Sequence, residues 1–106
     1  MEFPQIVIED IIRLSNLSQD VKDFCETRVM RGLETYGRRL TTFNGRDACQ
    51  DLCEELSDGA FYALQMHYEE LTKGNFEVSA PTHEVANKLL ELLDFMLQFH
   101  KNKENR

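Results

Sequence analysis

The chain has 106 residues, a formal net charge of -7, 42% hydrophobic and 29% charged residues. That length is expected for one domain, and the composition is that of a globular protein, not a disordered one. The acidic balance argues against duplex nucleic acid or an anionic membrane as partner, since both need a basic footprint; a nucleotide whose phosphates are screened by a metal ion stays compatible with it.

A chain this short buries roughly two-thirds of its unfolded surface, so a homo-oligomer is expected as a further source of stability. Cys25, Cys49 and Cys53 make an odd count, and no charged-then-apolar leader opens the sequence. A cytoplasmic location is therefore the default expectation. Cys49 and Cys53 stand one helical turn apart and could share a metal, but nothing completes a zinc set; reduced thiols inside a helix are expected.

In chain order, Met1 to Leu17 holds the apolar run Ile6, Val7, Ile8, Ile11, Ile12 and Leu14. Val7, Ile11 and Leu14 fit a helical face with Pro4 in a first turn, while the β-branched content leaves a short strand open. Ser18 caps a second helix reaching Tyr36, with Val21, Phe24, Cys25, Val29, Leu33 and Tyr36 on one face and Gly37 as a left-handed terminator. Asn44 is expected to cap a third helix, with Asp47 reaching back, that runs about 40 Å to a stop at Gly74 and Asn75. Within it Gly59 suits a close helix–helix approach. Phe76 to Pro81 reads as a loop, and Thr82 as the cap of a last helix rich in leucine. So broad an apolar surface needs cover on several sides, from a bundle core or a second subunit. The expected fold is all-α: a four-helix bundle-like single domain over residues 1–106, completed by dimerisation, with a frayed tail from Lys101.

On the third helix Asp47, Asp51, Glu54 and Asp58 fall within an arc of about 60°, with Glu55 at its edge. A solvated face is the ordinary reading of such a stripe. Yet like charges one turn apart destabilise a helix, and no Lys or Arg lies between Asp47 and Lys73 to offset them. Carboxylates so spaced are also a usual way to present oxygen ligands to Mg²⁺. Arg38, Arg39 and Arg46 stand near the start of this helix, so Asn44-Gly45-Arg46 is a candidate anion site. A salt bridge from Arg46 to Glu26 or Asp47 is an equally good use of that side chain.

The segment Asp51-Leu-Cys-Glu-Glu-Leu-Ser-Asp58-Gly-Ala-Phe-Tyr62 resembles the second metal motif of the MazG-like all-α nucleotide pyrophosphohydrolases. The stretch from Tyr36 to Tyr62 also resembles small phage-type proteins grouped with that family. The resemblance covers about a third of the chain. It implies Mg²⁺ or Mn²⁺ on Glu55, Asp58 and Glu54, with Asp51 or Glu54 orienting the attacking water. Arg46, Asn44 and Arg39 would contact phosphates, and Tyr62 the base. The reaction would be hydrolysis of a nucleoside triphosphate to the monophosphate and pyrophosphate. The family's first motif, EExxE on the preceding helix, is absent, since Asp20, Asp23 and Glu26 have the wrong spacing. Glu91 and Asp94 form a second ExxD on the last helix, and a solvated stripe is the preferred reading for them. His67, His83 and His100 are scattered in sequence and suggest no site. The alternative function is a non-enzymatic acidic helical protein that binds a partner protein as a regulator or phosphate mimic.

Overall fold

The computed structural model describes residues 3–104, with side chains through residue 102. The fold is all-α, with four helices and no strand among the described residues: α1 (Ile8–Arg13), α2 (Gln19–Tyr36), α3 (Ala48–Thr72) and α4 (Phe76–Glu104). The chain divides into two compact units, residues 1–46 and 47–106. α1 packs on α2, and α3 on α4.

In the first unit both readings of the opening segment hold in part. Val7 is extended and forms an isolated antiparallel bridge with Thr41, and only then does the chain turn into the short α1. Pro4 therefore precedes the helix instead of opening it. The Ile8 amide donates to the Leu40 carbonyl at 3.0 Å and the Thr42 amide to the Ile6 carbonyl at 2.9 Å. Phe3 stacks on Phe43 at 4.7 Å. Ser18 caps α2 through its hydroxyl, which accepts from the Val21 amide. Gly37 ends it at φ 70°, with its amide on the Leu33 carbonyl. Here the sequence signals and the structure agree, because both caps are local geometry.

The second unit is a helical hairpin whose turn is a Schellman motif. Gly74 takes φ 82°, its amide donates to the Leu71 carbonyl, and the Asn75 amide donates to the Glu70 carbonyl. The reversal is so tight that α4 starts immediately, at Phe76. The stretch 76–81 is thus helix and not a loop, and Thr82 is not a cap. Its hydroxyl donates back to the Val78 carbonyl, while the Asn75 carbonyl accepts from the Val78 and Ser79 amides. Pro81 sits early enough in the helix to forfeit a single backbone bond, the one Glu77 would have accepted.

α3 also begins later than Asn44 suggested. Asp47 is the cap, accepting from the Gln50 amide at 3.2 Å. Phe43 at φ 52° and Gly45 at φ 85° hold the preceding residues out of the helix, and the Asn44 side chain accepts from the Arg46 amide in a local turn instead.

The hairpin seam alternates small residues with larger ones. Cys49, Cys53, Leu56, Ala60, Ala63 and His67 on α3 recur at steps of four and three. Ser79, Thr82, Ala86, Leu89, Leu93 and Met96 on α4 do the same, and all are buried or half-buried. This is the heptad pattern of a two-helix seam, with Ala60 and Ala86 wholly covered. Short side chains let the backbones approach, and a Cβ added at Gly59 would stand 3.3 Å from Cδ1 of Leu89. The close approach expected at Gly59 is therefore present.

Candidate functional site

α3 carries the acidic stripe, and the seam sets its direction. Cys53, Ala60 and Ala63 face α4, so at 100° per residue Asp51, Glu54, Glu55 and Asp58 fall on the opposite side. Glu54, Glu55 and Asp58 are exposed, and Asp51 is half-buried. Glu54 accepts from the Gln50 side chain at 3.0 Å. Tyr62 lies on the same outward face and is largely exposed. Asp47, placed within the stripe by sequence spacing, stands outside the helix as its cap.

Glu91 and Asp94 are exposed on α4, turned away from its seam residues Leu89 and Leu93. Within one hairpin they do not converge on Glu55 and Asp58. Among the described residues no three His, Cys, Asp or Glu side chains come close enough together to hold a metal ion.

The basic candidates belong to the first unit. Arg39 is ion-paired with Glu9, and Asn44 holds the turn before α3 through the Arg46 amide. Tyr36, expected on a covered face, is exposed at the end of α2. Its neighbour Gly37 turns the chain away directly after it.

Two arrangements were not visible in the sequence. Glu9, at the head of α1, has a side chain only 7% exposed; it pairs with Arg39 and stands 3.5 Å from Arg13. It borders a cleft of about 320 Å³ between α1 and α2, with Ile12, Arg13, Cys25, Glu26 and Val29. The Glu9–Arg13 spacing of four residues was the one available signal. The second is a pair of histidines. Folding back at Gly74 brings His67 and His83 to 4.8 Å between ring centroids. His67 Nδ1 donates to the Ser79 carbonyl at 2.6 Å, which ties α3 to α4 beside the turn. Their 16-residue separation makes them look scattered until the hairpin is known.

The Cys53 thiol is a poor nucleophile by position. Burial pushes the Cys53 thiol up from its ordinary value, and the neighbouring Cys49 pushes it further. Glu70 goes the other way: a hydrogen bond from the Asn75 side chain at 2.6 Å lowers it, with Lys73 nearby adding to the effect against its partial burial. Both groups serve the hairpin's architecture.

No protein-family model matches the chain, and no curated protein or solved structure shows significant similarity to it. No described helix is long and apolar enough to cross a membrane. Chemically, the α3 face offers a row of outward carboxylates with one phenol. That is a surface suited to electrostatic contact with a cation or a basic partner.

Proposed function

We propose that the chain is a non-enzymatic helical interaction protein whose binding element is the α3–α4 hairpin. One observation carries this reading: the seam is already closed by Cys53, Ala60, Ala63 and Ala86, yet large apolar side chains stay open on its flanks. Val85, Leu90, Leu92, Phe95, Leu97 and Phe99 are all more than 40% exposed along α4. Scattered exposed leucines need no explanation, but ordered apolar side chains along both flanks of a closed seam, on an otherwise acidic protein, mark an association surface. The outward acids Glu54, Glu55 and Asp58 then border that element and disfavour acidic partners, or mimic phosphate groups toward a basic one.

The second reading is a Mg²⁺- or Mn²⁺-dependent nucleoside triphosphate pyrophosphohydrolase, or a nucleotide-binding relative of such enzymes that has lost catalysis. The run Glu54-Glu55-Leu56-Ser57-Asp58 on a single helix favours it. In that case Glu55 and Asp58 would bind the ion and Asp51 or Glu54 would orient water. Completing the ligand set would require acids from another helix or another copy.

Melting the protein with Mg²⁺ or Mn²⁺ and a panel of nucleoside triphosphates separates the two. The interaction reading expects no shift with any pair and no pyrophosphate release. A ligand at a hundred times its dissociation constant would add about 2.7 kcal/mol. Such a stabilisation, abolished by Asp58→Asn, would overturn the interaction reading in favour of the nucleotide one.

A further inference from the structure

The apolar flank of α4 has an internal order that a general sticky surface would not need. Val78, Val85, Leu92 and Phe99 recur every seven residues and are 38% to 52% exposed. They form one straight file beside the seam residues Thr82, Leu89 and Met96. The file tapers, from valines near the hairpin turn to leucine and phenylalanine at the far end. Building on the hairpin as binding element, we propose that its partner is a second copy of this chain, with the two α4 helices antiparallel about a two-fold axis near Lys88–Leu89.

The taper selects the direction. A parallel pair would stack Phe99 on Phe99 and Val78 on Val78, overfilling one end and leaving a gap at the other. Antiparallel, Val78 meets Phe99 of the second copy and Val85 meets its Leu92, so each level pairs a small side chain with a larger one. Interfaces that pack to interior density reward such matching. A two-fold axis makes every contact occur twice from one sequence pattern.

Charge points the same way. The file itself is uncharged, and of the residues bordering it (Pro81, Lys88, Phe95, Thr82, Leu89 and Met96) only Lys88 is charged. Of the acids of α4, Glu77, Glu84 and Glu91 lie about 100° away around the helix, and Asp94 lies farther round. Two chains of net charge -7 can therefore meet without bringing carboxylates together. Glu84 and Glu91, one turn either side of Lys88, compensate the lysines near the axis. The opposite flank, with Phe76, Leu90 and Leu97, is interrupted by His83 and is the less suitable surface.

The test is sedimentation and light scattering of the intact chain, then of two variants. The wild type is expected at twice the chain mass, and Leu92→Glu, which alters an exposed side chain, at the monomer mass with its helical circular dichroism retained. On mild oxidation Val85→Cys/Leu92→Cys is expected to give a covalent dimer. Phe99→Cys alone should give none beyond the parent with its native thiols. A monomeric wild type overturns the second copy as partner. If that monomer binds a hydrophobic dye and Leu92→Glu weakens the binding, the hairpin remains a binding element for another protein. If it binds none, both readings fall. Efficient crosslinking through Phe99→Cys alone would show parallel helices and overturn the proposed geometry.

Discussion

α3 and α4 meet along a seam with Ala60 and Ala86 wholly covered, while in α1 and α2 no residue is buried as a whole and the Glu9 carboxylate alone is tucked away. The first unit is instead held at its edges, by the Val7–Thr41 bridge, the stacked Phe3 and Phe43, and Glu9 between two arginines. Both α2 and α3 are amphipathic in sequence. What separates them is side-chain size: Cys53, Gly59, Ala60 and Ala63 let a second helix lie close to the middle of α3. On α2 the corresponding face carries Phe24 and Tyr36, which stand out from the helix. Amphipathicity gives a helix a side to bury, and small residues at heptad spacing give it a partner at close range.

The contrast is most open to challenge at the seam. Ala60→Leu is expected to cost about 3 kcal/mol in urea denaturation, because the three added heavy atoms have no space between α3 and α4. Phe24→Ala should stay within about 0.5 kcal/mol, as an exposed substitution does. Equal losses for the two would mean that the α2 face is covered in the folded protein, and the comparison would fail. In the first unit Arg39→Ala removes one partner of the buried Glu9 carboxylate and leaves Arg13 3.5 Å away. A loss of about 2 kcal/mol is expected, seen as faster hydrogen exchange of α1 amides with α3 and α4 unchanged. Uniform acceleration would show that the two units do not open independently.

A smaller effect separates the two candidate caps. Asp47→Ala should destabilise α3 by about 1 kcal/mol, and Asn44→Ala by clearly less, since it loses only the local turn to Arg46. The reverse order would return the helix start to Asn44. The smallest effect lies at the hairpin turn. Glu70 is held below its usual range by Asn75, so its contribution is complete above the ordinary glutamate pKa. That contribution is lost as pH falls through the lowered folded-state value. Melting points followed from neutral into acid pH should therefore drop less steeply for Glu70→Gln than for wild type. Parallel curves would remove Glu70 from the account of the turn.

Several of these features were legible before any coordinates. Ser18, Gly37 and Gly74 announced their helix ends because a cap needs only the residues beside it. Gly59 announced a close approach because a glycine inside a strong helix has few other uses. The start of α3 is ambiguous in the sequence because Asn44 and Asp47 are both good caps, and the backbone turn at Phe43 and Gly45 chooses between them. The segment 76–81 looked like a loop because proline usually ends a helix, whereas a tight Schellman turn made it the beginning of one. For the candidate site, the sequence showed that Asp51, Glu54, Glu55 and Asp58 share a side of α3. It could not show which way that side points.

From sequence alone came the all-α class, the boundaries with local caps, the acidic stripe and its periodicity, since each depends on neighbours within a turn or two of helix. Tertiary structure decided the rest. It turned the stripe outward by pairing the alanines with α4, brought His67 beside His83, and buried Glu9 between Arg13 and Arg39. Those outcomes depend on contacts between residues far apart in the chain, where the gain from close packing, not local propensity, determines which surfaces meet.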